Sequence, residues 1–274
     1  MMKRGPTLHN TESDGRPVFE YEEAPPPAAL RDVILSFWTL RTTEHCPPQI
    51  EHTVWPDGCA SLCVVMIPGG RSFAIGIQAR TDARLTTVHR GSRYWGIRFW
   101  PDTASVAFGV AAGSLVDGPV PARLSSTTSS LANALADPAN DDGWRVLERW
   151  SLENIPPAPV VDPVVRAALR HIVLTNGSAR VAEVAEAVGV GLRQLQRRFA
   201  DATGLTIKAY SRVRRLRSAL ARQLAVKEPI SRTAAERGYA DHAHLAREFA
   251  EMTGMAPTNV MRHLARIEHR NVVP

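Results

Sequence analysis

The chain has 274 residues, of which 44% are hydrophobic and 22% are charged, a composition typical of globular proteins with room for two domains. No run of eighteen apolar residues occurs, which excludes a helix long enough to span a bilayer. The net charge of +6 is uneven, because residues 164–274 contain 19 basic and 9 acidic residues (+10), whereas residues 1–163 contain the other 14 basic and 18 acidic residues (−4). The basic part indicates a polyanionic partner.

The N-terminal residues 1–17 are polar and lack the apolar stretch of a signal peptide, so we expect a disordered tail. The three cysteines, Cys46, Cys59 and Cys63, are an odd number without a secretion signal. This combination favours reduced thiols and the cytoplasm. Cys59 and Cys63 are expected on one face of a strand, where buried structural thiols are favoured over a redox or metal site.

Residues 18–153 are expected to form a β-rich domain. Short segments rich in β-branched or aromatic residues alternate with turn residues; they cover residues 50–55, 60–67, 71–77, 84–89 and 93–100. This pattern predicts a small antiparallel barrel or sandwich. Helical patterns flank it, and they predict helices over residues 28–38, 124–136 and 142–153.

A proline-rich segment divides the chain. Residues 151–163 contain four prolines, so we predict a stiff linker over residues 154–163 that joins two separately folding parts. After it the helical periodicity continues without a strand pattern. We therefore predict an all-α domain over residues 164–266 and a tail over residues 267–274.

An internal repeat organises the all-α domain. Residues 181–204 resemble residues 230–254, and each copy contains a helix, a turn with a glycine, a second helix and a closing glycine. This is the helix-turn-helix layout. Residues 206–225, between the copies, lack Gly and Pro and predict a connecting helix about 28 Å long. Such a helix would place the two copies near one DNA turn apart, about 34 Å.

Polar side chains on the second helix of the first copy suit base recognition. Arg193, Gln196 and Arg197 lie at helical spacing beside the apolar side. For an isolated helix, a merely solvated polar face is the simpler interpretation. The helix-turn-helix layout and the basic charge favour DNA, because Arg and Gln can make bidentate hydrogen bonds to guanine and adenine in the major groove.

The stretch GYADHAHLAREF in the second copy contains two histidines, His242 and His244. On a helix, residues two positions apart point about 200° apart, so these two side chains are not expected to share a metal ion. Asp241 suits the N-cap of this helix, which places His242 at its N-terminal end. We therefore predict a second recognition helix, and we expect no metal and no cofactor.

Residues 164–264 resemble the DNA-binding domain of the AraC/XylS family of bacterial transcription regulators. The resemblance is carried by Gly238, Tyr239, Leu245, Arg247, Phe249, Gly254, Pro257 and Arg262. It implies two helix-turn-helix units, joined by a long helix, that bind two adjacent major grooves of promoter DNA, with RNA polymerase as a further partner. The first unit would use Arg193, Gln196 and Arg197, and the second His242, Ala243, Ala246 and Arg247. Because the two alanines donate no hydrogen bonds, the second unit is expected to read thymine methyls and phosphates.

Residues 28–41 and 51–62 resemble the N-terminal domain of one branch of this family. The resemblance implies an α+β multidomain chain whose cupin-like barrel binds a small molecule or mediates homodimer formation. Candidate ligand-binding residues are Trp38, Trp55, Asp57, Arg98 and Trp100, because aromatic walls with a few polar groups suit a small organic ligand. The sequence WPDG is also a favourable turn, and Trp38 and Trp100 could equally fill the core.

Three classes of function remain open at this point. The first is a DNA-binding regulator with a small-molecule effector, and the second is such a regulator controlled by a protein partner or by abundance. The third is an enzyme fused to a DNA-binding domain. A cupin-type metal enzyme would need a His-x-His pair in the barrel, and no such pair occurs before residue 242. We therefore expect a regulator without catalytic activity.

Overall fold

The computed structural model of the chain describes residues 16–117, 125–137, 139–140, 142–157, 159–226, 228–264 and 267–270. The expected disordered tail lies outside these ranges except for its last two residues. Within the described ranges, no helix combines the length and the apolar character that a membrane crossing requires.

Strands dominate the N-terminal half. They are β1 (Phe19–Ala24), β2 (Ile34–Thr42), β3 (Gln49–Val54), β4 (Ser61–Ile67), β5 (Arg71–Ile77), β6 (Arg84–His89) and β7 (Arg93–Phe99). In the larger sheet the strands follow the order β5-β4-β7-β2-β1 and are antiparallel, while β3 and β6 form a second antiparallel sheet. The prediction of a β-rich N-terminal domain is confirmed.

The helix predicted over residues 28–38 is wrong. Ala28–Leu30 form a single 3-10 turn, and the chain then enters β2. This strand lies between β1 and β7, and Ile34, Phe37 and Trp38 are buried. Because both faces of a central strand are covered, its apolar residues form a nearly continuous run without period-two alternation. The run therefore resembled a buried helix.

Four helices cover the end of the N-terminal half, namely α1 (Ala104–Phe108), α2 (Ser114–Asp117), α3 (Ser125–Ala136) and α4 (Gly143–Asn154). Helix α3 packs against β5, β4 and α4. Helices α3 and α4 match two of the predictions, and the Asp142 carboxylate caps α4 by accepting hydrogen bonds from the backbone of Trp144 and Arg145. Helices α1 and α2 are too short to show a helical period in the sequence.

The C-terminal half is helical, as predicted. Its helices are α5 (Pro163–Leu174), α6 (Val181–Ala187), α7 (Leu192–Thr203), α8 (Ile207–Val226), α9 (Ile230–Glu236), α10 (His242–Thr253) and α11 (Pro257–Leu264). The closing glycines of the repeat, Gly204 and Gly254, end α7 and α10 in the left-handed conformation, which glycine adopts without a steric cost. The repeat therefore corresponds to the pairs α6–α7 and α9–α10.

The expected tail contains a strand. Ile267–Arg270 form β8, which pairs in parallel with β1 and extends the larger sheet. The expectation of no strand after the linker is therefore wrong. Four residues are too few to show a period in the sequence, and the unpaired edge of β1 supplies the backbone partners that determine this pairing.

The two halves of the chain share their buried clusters. One cluster contains Ile34 and Ile97 from the sheet together with Leu195 and Phe199 from α7. The other joins residues of β1 and β2 to Leu245 and further residues of α10. A backbone hydrogen bond also links Ala83 to Met252 at 2.7 Å. The proline-rich segment thus joins halves that are in extensive contact, and their separate folding stays a prediction.

Candidate functional site

The first helix-turn-helix unit consists of α6 and α7. Its turn contains Gly189 with a positive φ of 70°, which glycine adopts readily. Leu195 and Phe199 anchor α7 because both side chains are fully buried. The side chains predicted to contact DNA in this unit, Arg193, Gln196 and Arg197, are all exposed. This side of α7 is therefore free to enter a groove.

The second unit consists of α9 and α10. Gly238 in its turn has a φ of 70°, and a Cβ there would lie 2.9 Å from the Cβ of Ser178, so the turn requires glycine. The Asp241 carboxylate caps α10 by accepting a hydrogen bond from the backbone N–H of His244 at 2.6 Å, and this bond holds the pKa of Asp241 below its usual range. Of the residues predicted to contact DNA in this unit, His242 and Arg247 are exposed, whereas Ala243 and Ala246 are half-buried.

The two histidines of α10 have different surroundings. His242 is exposed, whereas the ring of His244 is half-buried and packs edge-on against Tyr239 at 5.3 Å between centroids. The Nδ1 atom of His244 also accepts a hydrogen bond from the backbone N–H of Ala240 at 3.4 Å. Within the described residues, no group of three His, Cys, Asp or Glu side chains is arranged to hold a metal ion.

Helix α8 connects the two units and is held against α10 by ion pairs. Its 20 residues span about 30 Å at 1.5 Å per residue. Arg212 and Arg215 each donate a hydrogen bond to the buried Glu248 of α10, at 2.8 and 2.9 Å. Burial raises the pKa of Glu248, but the hydrogen bonds from Arg215 and Arg212 outweigh burial and bring the pKa below its usual range. These ion pairs set the position of α10 against the connecting helix.

A cavity of about 1450 Å³ lies between the sheets and α8. It is larger than the 300–1,000 Å³ typical of small-molecule sites. Trp38, Trp55, Asp57 and Arg98, which were predicted from the sequence as ligand-binding residues, all line it. Residues of α8 line the same cavity. Sequence analysis does not predict this, because contacts between distant segments have no local pattern.

A buried ionic cluster lies at one end of this cavity. The guanidinium of Arg98 forms ion pairs with Glu23 at 2.6 Å and Asp57 at 2.8 Å, and it also donates a hydrogen bond to the Tyr21 hydroxyl at 3.1 Å. Burial raises the pKa of Glu23, but Arg98 and the Tyr21 hydroxyl outweigh burial and lower it. Burial also raises the pKa of Tyr21, so its hydroxyl stays protonated and donates to Glu23.

Trp100 does not line the cavity, in contrast to the other four predicted ligand-binding residues. Its indole N–H donates to the backbone carbonyl of Arg31 at 2.9 Å, and the guanidinium of Arg166 lies 5.5 Å from the centre of its ring. Arg166 of α5 also donates two hydrogen bonds to the buried Asp102, at 2.8 and 2.9 Å. Trp100 is therefore part of the contact between the two halves.

The cysteines are buried and form no disulfides. Cys63 lines the cavity, while burial raises the pKa of Cys59 to about 12 and also raises the pKa of Cys63. A raised pKa keeps a thiol protonated, and a protonated thiol is a poor nucleophile and a poor metal ligand.

The comparison with protein families bears on both halves of the chain. A family model described as a helix-turn-helix domain, which is the AraC-type domain, matches residues 184–263, and these residues include both recognition helices. The matched residues therefore form a helix-turn-helix domain of the AraC type. The chain is a DNA-binding transcription regulator with an N-terminal regulatory domain. A second family model, described as a domain of unknown function, matches residues 22–121 of that domain.

Solved structures similar to this regulator include two-domain and single-domain proteins. ToxT from Vibrio cholerae O395 is 10% identical, with 83% of this chain and 98% of that chain covered at a TM-score of 0.42. Unsaturated fatty acid-bound ToxT from Vibrio cholerae strain SCE256 is 9% identical, with 82% and 94% covered at 0.39. The C-terminal domain of AraT, a response regulator from Geobacillus stearothermophilus, is 23% identical, with 37% and 85% covered at 0.35. The search of curated proteins found no match.

Proposed function

We propose that this regulator binds an asymmetric promoter site through two unequal recognition helices. The first reads bases with Arg193, Gln196 and Arg197, and the second contacts DNA with His242, Ala243, Ala246 and Arg247. The exposure of the three polar side chains on α7 supports the proposal most directly. Arg and Gln can each make a bidentate contact that discriminates between bases by about 1–3 kcal/mol.

The second helix contributes less sequence preference in this proposal. Ala243 and Ala246 offer methyl groups, which can contact a thymine methyl but donate no hydrogen bond. Arg247 is the exposed cation on this side, and we assign it to a phosphate contact. Phosphate contacts set position and affinity without reading sequence.

A randomised-site selection with full-length protein at one salt concentration tests these roles. Arg197→Ala should relax the preference for a guanine in one half of the site, whereas Arg247→Ala should weaken binding to all sites about equally. Arg232→Ala is the control, because it removes one exposed positive charge from α9 outside either recognition helix. Sharper base preference in the half read by α10 would reverse our assignment.

We further propose that the cavity between the sheets and α8 binds a small-molecule effector. The main support for this proposal is that α8, the helix joining the two DNA-binding units, forms part of the cavity wall. A ligand there would contact that helix directly and stabilise one arrangement of the two units. A regulator controlled by a protein partner or by abundance would not need such a cavity.

A thermal-shift screen of the full-length chain against metabolites tests whether the cavity binds an effector, because a ligand that binds only the folded state raises its melting temperature.

We also propose that the regulator acts in the cytoplasm, contacts RNA polymerase at its promoter and has no catalytic activity.

Homodimer formation through the N-terminal domain is a further proposal, which the family resemblance supports. Analytical ultracentrifugation with and without site DNA tests it. A single species at the mass of one chain under both conditions would reject the dimer.

A further inference from the structure

The arginines that line the cavity divide into those with carboxylate partners and those without. Arg80 pairs with Asp82, Arg98 with Glu23 and Asp57, and Arg222 with Glu228 and Glu236. Arg84 and Arg237 also line the cavity, away from the Arg98 cluster, and no carboxylate pairs with them among the described residues. In the described part of the chain, Arg214 and Arg217 of α8 make no hydrogen bond or ion pair, although the next arginines along the helix, Arg212 and Arg215, do. Two cations on one helix are therefore left without partners at the cavity wall.

Arg214 is buried as well as unpaired. Its side chain is 9% exposed, and its Nε–H lies in the interior without an acceptor. Buried charges in proteins are normally paired, because an unpaired one loses its hydration without compensation. The buried Nε–H of Arg214 therefore calls for an acceptor from outside the chain, such as a water molecule, an ion or a ligand.

The local charge balance gives the sign and the magnitude of the charge on the missing group. Arg98, Arg214 and Arg217 meet Glu23 and Asp57 around a small gap next to the main cavity. Three cations face two carboxylates, so the cluster has an excess of one positive charge. A group with a single negative charge would balance it.

The rest of the cavity wall is suited to an apolar molecule. Trp38, Trp55, Ile77 and Leu220 all line it, and such side chains favour contact with an apolar ligand over water. The unpaired arginines lie at one end, beside the Arg98 cluster. A ligand that satisfies both regions has an apolar body and one anionic group at its end.

We propose that the cavity binds an apolar organic monoanion whose acidic group is held by Arg214 and Arg217 of the connecting helix. This inference rests on the proposed effector cavity and narrows the chemical class of its ligand. Because both arginines belong to α8, the acidic group would bind directly to the element that joins the two DNA-binding units.

Two fluorescent probes that differ by one anionic group test the proposal with the full-length protein. 8-Anilinonaphthalene-1-sulfonate has an apolar ring system and one sulfonate, and N-phenyl-1-naphthylamine has the same rings without the sulfonate. We expect the sulfonate probe to bind at one site per chain and about 10-fold more tightly than the neutral probe. This is the gain expected from one or two charge-assisted hydrogen bonds.

Arg217→Gln should weaken binding of the sulfonate probe by about 10-fold and change binding of the neutral probe by less than about 2-fold. Arg212→Gln is the matched control, because Arg212 lies on the same helix but is bound to Glu248 and Glu251; neither probe should respond to it. Since Arg217 has no ion pair to lose, its variant should keep the wild-type melting temperature. The sulfonate probe should then raise that temperature in wild type more than in the variant.

Equal affinity of wild type for the two probes, or an Arg217→Gln variant that binds both as wild type does, would overturn the proposal. One-to-one binding of the neutral probe alone would also overturn it while leaving the cavity as a ligand site. Binding of neither probe would count against the effector cavity itself, so the two failures are distinguishable.

Discussion

Replacing Arg166 by methionine would test how strongly the two halves of the regulator are joined. Arg166 of α5 and Asp102 of the N-terminal domain are 8% and 4% exposed, and two hydrogen bonds of 2.8 and 2.9 Å connect them. Methionine has a similar length without a charge. The substitution therefore leaves the Asp102 carboxylate buried without its partner.

Removing one partner of a buried ion pair destabilises a protein by about 3–5 kcal/mol, because the other charge stays buried and uncompensated. Replacing both partners by apolar residues of similar size is often nearly neutral. We therefore expect Arg166→Met to lower the free energy of unfolding by about 3–5 kcal/mol. We expect the double variant Arg166→Met with Asp102→Leu to recover most of this loss.

The loss should depend on pH. Burial already raises the pKa of Asp102, although Arg166 opposes this effect, and without Arg166 the pKa should rise further. A raised pKa means that the folded state gains stability as the pH falls and the carboxyl group takes up its proton. The difference between Arg166→Met and wild type should thus be largest at neutral pH and smaller in mild acid.

Urea unfolding of the full-length protein, followed by circular dichroism at two pH values, gives these free energies. A loss below about 1 kcal/mol, as for an exposed salt bridge, would show that Arg166 and Asp102 do not form a strongly coupled buried pair. A double variant as unstable as the single one would show that the uncompensated Asp102 carboxylate is not the cause of the loss.

Three further predictions concern other contacts. Gly58→Ala should lower the free energy of unfolding by about 1–2 kcal/mol because of the left-handed backbone alone. The loss should be larger because the added Cβ would lie 2.8 Å from the Tyr210 ring on α8. Gly109→Ala is the control in the same urea titration, because Gly109 has a similar φ and open space around it. Ending the chain after residue 266 should lower the melting temperature relative to ending it after residue 270, because the edge of β1 loses β8; equal temperatures would contradict this. The pKa of Asp162 is lowered mainly by its hydrogen bond from Arg198. The stabilisation of the fold by the Asp162 carboxylate should therefore be lost as the pH falls through that lowered pKa. In an acid titration, Asp162→Asn should remove the loss of stability that protonation of Asp162 causes.

The elements that the sequence predicts well have a regular local pattern. The strands β3 to β7 are bounded by turn residues. The helix-turn-helix repeat predicts α6, α7, α9 and α10, because each copy supports the helices of the other. The sequence of β2 predicts a helix because burial of both faces removes the alternation typical of a strand. Its pairing with β1 and β7 determines its conformation instead. The strand β8 is likewise set by a partner more than 240 residues away in the chain.

The residues of the candidate sites likewise divide into those with a local sequence pattern and those whose role depends on distant contacts. The exposed positions Arg193, Gln196 and Arg197 follow from helical spacing and are exposed in the structure. Of the ligand-binding residues predicted from the sequence, Trp38 and Arg98 line the cavity and Trp100 does not. The sequence does not indicate Arg214 or Arg217, because their significance depends on which neighbouring arginines have carboxylate partners after folding.

We propose that the two recognition helices, joined by α8, bind adjacent major grooves of one DNA duplex. A guanine-methylation interference experiment with full-length protein, on a site obtained by randomised selection, tests it most directly. We expect two interfering major-groove segments on one face of the duplex, with centres about 10–10.5 base pairs apart. A single segment, or two segments on opposite faces, would contradict it.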